Sequence, residues 1–534
     1  MKRRMVAVAA AAMLLPLAAS NPGISAQAST DKPLWLTHVE NFPGGLSAGV
    51  RAVASRIAAA PLTADRVAAP AYTSSDVQIN NDSEPPMPQN ETSVAVSLDD
   101  PKIAVVGAND YVSGGVAVMR TLDGGVTWST TRVNPVFRPT SDVCSGGDPV
   151  VAYSLRDKAF YLSQLCFFRS LPFSEIQVFK SEDNGLTWTP GRRSSVAASN
   201  YDAETGTADE SVFHDKEWMT VDNTPTSPHY GRVYVTWTKF HLQDDGFSDY
   251  CPIQLAYTDI IPTFDPSLAT WEHTPVVPDN PGDDGVGSSA NQFSVPQVDE
   301  AGDLTISYAL EECNTGLDAG FRYQRSDDGG ETFLRNPVKI NKPGQFVDNP
   351  DPADLLPPTA FRAPNTTAHA ISPTTGTTVF VYQNHINRER SEADISFQVS
   401  RNGGLDWGDA ETLSARANGR PAQNDQFFPW VTVDEAGVFY AVWFDRRNSD
   451  INKRIETWYA VSTDDADTWT SERISTRSWN PDEGFFTSGA FIGDYNGIAA
   501  SKGWVYPVWT DGRRSAIERT GIGETDVFTS VQRS

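Results

Sequence analysis

Short apolar runs recur in pairs between residues 90 and 534, set apart by Gly, Pro, Asp and Asn. In each pair one run opens, a turn follows, and a second run returns. The pairs are 91–96 with 103–107, 148–153 with 159–163, 215–218 with 233–237, and 293–296 with 304–308. Three more follow: 361–364 with 378–382, 427–430 with 439–443, and 491–494 with 505–509. Alternation with β-branched and aromatic residues predicts strands, and the Gly/Pro/Asp punctuation predicts turns. The chain is therefore expected to be all-β, built from seven similar units.

An octapeptide recurs late in most units. It reads TLDGGVTW at 121–128, SEDNGLTW at 181–188 and SDDGGETF at 326–333. Looser copies are SRNGGLDW at 400–407 and STDDADTW at 462–469. A repeat of this kind declares the architecture before any local propensity does. The Asp or Asn can hold backbone amides in a tight turn, and the Gly can take a positive φ. The terminal aromatic can bury beside the next strand and anchor the turn. In unit three the copy is replaced by an expanded segment, Thr258-Asp259 through Thr270-Trp271.

The octapeptide resembles the Asp-box, or BNR repeat, of the sialidase-like β-propellers. In that family the box is structural and lies on the turn between the third and fourth strands of a blade. The resemblance covers nearly all of residues 90–534 and implies a β-propeller with one four-stranded blade per unit. Box starts fall 60 to 77 residues apart, which suits one blade each. Seven blades are expected, with six and one unit outside the ring as the alternative. Unit seven has chain for only three strands, ending at 526–531. The segment Asp76–Asn80 is expected to supply its fourth strand, so that the ring has no open edge. The propeller is thus assigned to 76–534. Residues 29–75 are an Ala/Pro/Ser-rich lead-in, read as either a mobile arm or a helical cover.

Residues 1–28 read as a secretory signal. Lys2, Arg3 and Arg4 form the basic region, residues 6–19 are apolar, and Ala26-Gln27-Ala28 offers the cleavage site. The apolar stretch is short for a membrane span, so a secreted protein with no membrane span is expected. The formal charge of −26 becomes −29 without those 28 residues. Nucleic acid and anionic membranes need a basic footprint, and neither is expected as a partner. A monomer acting on a glycan or polysaccharide is expected instead.

An even cysteine count in an exported chain favours disulfides. The blade map pairs Cys144 with Cys166 and Cys251 with Cys313. No Cys or His spacing suits zinc. No cofactor is expected; calcium is the one alternative, on Asp279, Asp283 and Asp284 of an acidic Gly/Pro loop.

Strand direction fixes which residues share a face. If the boxes mark third-to-fourth turns, first-strand starts and second-strand ends meet at the opposite mouth of the central channel. First-strand starts bring Glu91, Asp148, Asp215, Glu217, Arg362, Asp425, Asp494 and Tyr495 there. Second-strand ends bring Asp110, His385, Asp445, Arg446, Asp511 and Arg513. Arginines can clamp a carboxylate, one carboxylic acid can protonate a leaving group, and a second carboxylate or a Tyr can attack. WFDRR at 443–447 and WTDGR at 509–513 repeat one another across units six and seven.

In sialidases an arginine triad binds the substrate carboxylate, a Tyr–Glu pair is the nucleophile, and an Asp is the acid/base. The first arginine comes from a Phe/Tyr-Arg-Ile-Pro motif near the domain start. That motif is absent here; the look-alike Phe361-Arg362-Ala363-Pro364 lies in unit five. The resemblance implies an exo-acting, retaining glycoside hydrolase for terminal acidic sugars. Its candidate catalytic residues are Tyr495, Asp494, Glu91 and Asp110. Its candidate substrate-binding residues are Arg362, Arg446, Arg513, Asp445 and Asp511. The alternatives are a polysaccharide lyase using His385 with Arg362, and a non-catalytic binding propeller. Fold alone does not choose among them.

Overall fold

The computed structural model describes residues 33–41, 76–81, 87–277, 290–311, 318–351, 354–386, 392–486, 489, 491–515 and 523–533. The signal region 1–28, the acidic loop with Asp279, Asp283 and Asp284, and Cys313 lie outside these residues.

Seven antiparallel sheets follow one another along the chain. Their first strands are Gln89–Val96, Val150–Ser154, Val212–Val221, Ala290–Val298, Ala368–Ile371, Gln426–Val433 and Gly497–Ser501. These strands touch in cyclic order, one against two through seven against one, so the sheets are the blades of a seven-bladed β-propeller. The six-bladed alternative is excluded. Blade seven takes its outer strand from the other end of the chain: Val77 pairs with Thr529 and Gln78 with Phe528. Asn80 extends this clasp, donating to Asp526 at 2.9 Å while its side-chain oxygen accepts from the Val527 amide at 3.0 Å.

The five octapeptides fold alike. In the first, the Thr121 hydroxyl donates to Asp123 at 2.8 Å and accepts from the Gly125 amide at 2.9 Å. Asp123 also accepts from the Thr127 amide and hydroxyl, at 2.9 and 2.7 Å. The same bonds recur around Asp183, Asp328 and Asp464, and Asn402 makes the backbone bonds of the set. Each turn joins the third and fourth strands of its blade. The side chain therefore caps donors that a tight turn leaves without strand partners. In blade three the third and fourth strands, Ile253–Thr258 and Glu272–Pro275, are joined by the longer segment expected there.

A second regularity sits at the channel mouth. Four first strands carry a bulge near their start, where the register shifts between Asn90 and Ser93, Asp215 and Trp218, Gln292 and Val295, and Phe427 and Trp430. The bulged residues Glu91, Lys216, Phe293 and Phe428 have φ between 52° and 56°. Asp148, at the start of blade two, has φ 53°. A bulge breaks the two-residue alternation and re-aims side chains, here at the mouth of the channel.

Cys144 and Cys166 form a disulfide within blade two, with Cα atoms 5.3 Å apart. Cys251 is also disulfide-bonded. Of the lead-in, residues 33–41 are described, and Leu34–Asn41 is a helix docked on blades two and three. Trp35 is buried and donates to the Phe168 carbonyl at 3.2 Å; His38 Nδ1 lies 2.6 Å from the Gly246 carbonyl. No helix among the described residues is long and apolar enough to cross a membrane.

Candidate functional site

Three aromatic rings from blades three, six and seven meet where the first strands converge. Trp218 of blade three and Trp430 of blade six meet with centroids 4.4 Å apart. Tyr495, just before the first strand of blade seven, lies 5.4 Å from Trp218 and 6.1 Å from Trp430. A cavity of about 240 Å³ between the first strands has Trp218 and Trp430 in its wall, with Val94, Val151, Met219, Val431 and Ile498.

Charged side chains gather around Tyr495. Glu91, Asp148, Glu217 and Asp494 are fully buried, and Lys216 and Arg362 nearly so. Glu91 is held from two sides: Asn109 Nδ2 donates to Oε2 at 2.6 Å, and the Asp494 amide donates to Oε1 at 3.2 Å. Asn109 Oδ1 in turn accepts from the Asp148 amide at 2.9 Å, which ties blade one to blade two. The Glu91 carboxyl lies beside that of Asp148. Two carboxyls so placed cannot both be ionised without cost. Burial, then the charges of Asp148 and Asp494, push Glu91 well above the ordinary carboxylate range; Lys216 opposes them.

Glu217 is the second perturbed acid. Both of its carboxyl oxygens are buried without a hydrogen-bond partner. Burial and then the Asp148 charge raise it well above the ordinary range, again against Lys216. The Tyr495 hydroxyl is likewise buried without a partner. Burial raises it first, and the charges of Asp148, Glu91, Glu217 and Asp494 raise it further. On the far side, Arg362 Nη2 meets Asp494 Oδ2 at 2.5 Å, while Arg362 Nε makes no hydrogen bond. Asp354, on the segment leading to Arg362, is raised by burial and by the charges of Asp348 and Asp494.

Six of the residues expected from the sequence therefore come together: Glu91, Asp148, Glu217, Arg362, Asp494 and Tyr495. The remaining candidates for catalysis and substrate binding are engaged elsewhere. Arg446 is fully buried and donates to Asp425, to the carbonyls of Leu356 and Asn452, and to Thr359. Arg513 bridges Asp511 and Asp76, at 2.5 and 2.6 Å, and so holds the N-terminal clasp. The repeated WFDRR and WTDGR segments share one internal clamp. Asp445 accepts from the Trp443 indole and the Arg447 amide, at 2.9 and 2.7 Å; Asp511 accepts from Trp509 and Arg513 at 3.1 and 2.9 Å. Asp110 is paired with Arg132 at 2.7 Å. His385 lines a separate pocket of about 450 Å³ with Asn349, Leu355, Asp425 and Asn452, and burial lowers it to about 4. No group of three metal-ligating side chains exists among the described residues.

Lys216, Trp218, Trp430 and Asp354 were not among the candidates. Lys216 lies between Asp215 and Glu217, both expected at the mouth, but strict alternation turns it away. The bulge brings it in.

No protein-family model matches the chain, and no curated protein matches it. Solved structures with a similar trace include the Hadza microbial sialidase Hz136, at 13% identity over 82% of this chain and 74% of that one, TM-score 0.43. Others are the α-L-arabinofuranosidase Arb93A of Fusarium graminearum, at 11% over 86% and 97%, TM-score 0.42, and a Trypanosoma rangeli sialidase, at 11% over 76% and 56%, TM-score 0.41.

Proposed function

We propose that this protein is a secreted glycoside hydrolase whose chemistry takes place around Tyr495. One observation carries the reading. The Tyr495 hydroxyl, both Glu217 oxygens and Arg362 Nε are buried at one end of the propeller axis with hydrogen-bonding capacity unspent. Buried polar groups are normally satisfied, so a converging set with none calls for a polar ligand. Donors and acceptors mixed in this way match the hydroxyls of a sugar.

Roles follow from the charges. Glu91, kept protonated by burial and by Asp148, is the proton donor to the leaving oxygen. Tyr495 is the nucleophile and Glu217 takes its proton, as in the retaining enzymes the repeat resembles. These groups are buried, so a substrate reaches them only with some movement of the surrounding chain.

Charge balance speaks to the sugar. With Glu91 protonated as the acid and Glu217 ionised as the base, the carboxylates of Asp148, Asp494 and Glu217 outnumber the cations Lys216 and Arg362. No positive charge is left over for an anionic ligand, and Arg446 and Arg513 complete no arginine triad. A neutral terminal sugar fits this ring better than an acidic one.

The burial of these groups and the Arg362–Asp494 pair favour a second reading, a non-catalytic secreted propeller. Purified mature protein on fluorogenic α-sialosides, α-L-arabinofuranosides and other neutral glycosides separates the two. Release that Tyr495→Phe and Glu217→Gln both abolish supports the enzyme. A folded protein inert on the whole panel sinks it.

A further inference from the structure

The mouth contains a charge that the proposed chemistry does not use. Lys216 is 3% exposed, and among the described residues its ammonium has no hydrogen-bond or ion-pair partner. It sits instead on two aromatic faces, 4.0 Å from the Tyr495 centroid and 4.6 Å from that of Trp218. The backbone bends to put it there, with φ 52° inside the bulge. A buried cation held by ring faces alone is costly, and a left-handed non-glycine residue adds to the cost. Packing does not require either feature, since a methionine would fill the same space between the rings.

What surrounds the ammonium gives it a task. Blade one presents Glu91, blade two Asp148, its own blade Asp215 and Glu217, and blade seven Asp494 and Tyr495; Arg362 of blade five is turned to Asp494. Resting on the proposed glycosidase reading, we propose that Lys216 is a positioning residue: its ring-seated, unpaired ammonium is the counter-charge of the buried carboxylates and of the phenolate that develops on Tyr495. A cation over the face of a tyrosine ring stabilises electron density as it builds there. The same charge works against protonation of Glu91 and Glu217 together. Binding a carboxylate directly would tie the ammonium to one acid; the aromatic seat leaves it to act on all of them.

The test compares Lys216→Met and Lys216→Arg with the wild type in two measurements. The first is the pH–rate profile on whichever glycoside is released. The acid limb moves to higher pH in Lys216→Met and stays near its wild-type position in Lys216→Arg. A loss of rate at every pH with the limb unmoved overturns the proposal, because misfolding or lost packing would do only that. The second needs no activity: an infrared titration of protonated carboxyls, assigned with Glu91→Gln and Glu217→Gln. Lys216→Met keeps those bands to higher pH than wild type. If no glycoside is turned over yet the bands shift, the Lys216 assignment stands and the glycosidase reading falls. Turnover with unshifted bands and limb leaves the enzyme and removes the role of Lys216.

Discussion

Arg362 and Asp494 meet at 2.5 Å across the mouth of the channel, joining blade five to blade seven. Arg362 is nearly and Asp494 fully buried, so neither charge has water to fall back on. Breaking a buried pair from one side leaves the partner uncompensated. Arg362→Ala should therefore cost about 3–5 kcal/mol of stability. Arg362→Met with Asp494→Asn should recover much of that loss in denaturant titrations. If the single variant unfolds like wild type, the pair contributes nothing and Arg362 is held there for a ligand alone.

Glu217 should trade stability for function. Its folded-state value is raised, so the folded protein binds a proton that the unfolded chain has released above its ordinary value of 4.5. Stability must then fall as pH rises from that value through the folded one. Glu217→Gln removes this dependence. The variant should melt above wild type, by a margin that widens from pH 4 to pH 8, while turnover drops by about 10²–10⁴-fold. A margin that is flat or narrows with pH contradicts the assigned shift.

The same shift sets a pH profile. A base must be ionised to take the Tyr495 proton. The acid limb of the rate should lie well above the ordinary glutamate range, because burial and Asp148 hold Glu217 protonated there. A limb near pH 4 would place the base elsewhere.

The octapeptide turns offer a test that does not involve the site. Gly404 has φ 84°, and a Cβ there would come 2.0 Å from the Tyr323 ring of the preceding blade. The equivalent residue in blade six is Ala466, with φ 67°. Left-handed backbone costs a non-glycine residue about 1–2 kcal/mol. Ala466→Gly should stabilise the fold by about 1 kcal/mol, and Gly404→Ala should destabilise it by more than that. Thermal melts of the two variants should move in opposite directions.

Reduction should weaken blade two. The Cys144–Cys166 bond closes a loop of separation 22, for which loop entropy gives about 3 kcal/mol. Cys144→Ser with Cys166→Ser should lose about that much, measured against the oxidised protein.

The octapeptides made much of the ring legible. Each is a local device whose side chain bonds within eight residues, so its sequence and its shape travel together. The missing strand of blade seven was legible from chain length, and Val77–Gln78 fills it. The site was legible only where a residue's place along the chain puts it at the start of a first strand. Glu91, Asp494 and Tyr495, at or just before such starts, could be placed that way. Lys216 could not, because a bulge depends on the neighbouring strand and leaves no mark in the alternation. Arg446 and Arg513 lie at the mouth end of their strands as read. Arg513 has one partner nearby, Asp511, but Asp425 and Asp76, which complete the pairing of the two arginines, come from distant chain that the local sequence does not announce.

The N-terminal clasp also dictates an order of assembly. Gln78 and Asp526, bonded at 2.8 Å, are 448 positions apart. During synthesis the first strand of the pair must wait for nearly the whole chain before its partner exists. Six blades can form in sequence, each leaning on the one before, while the last sheet stays open-sided. Contacts this distant are slow to form, and an unpaired edge invites other chains in the meantime. The ring is therefore at its most vulnerable just before it is finished.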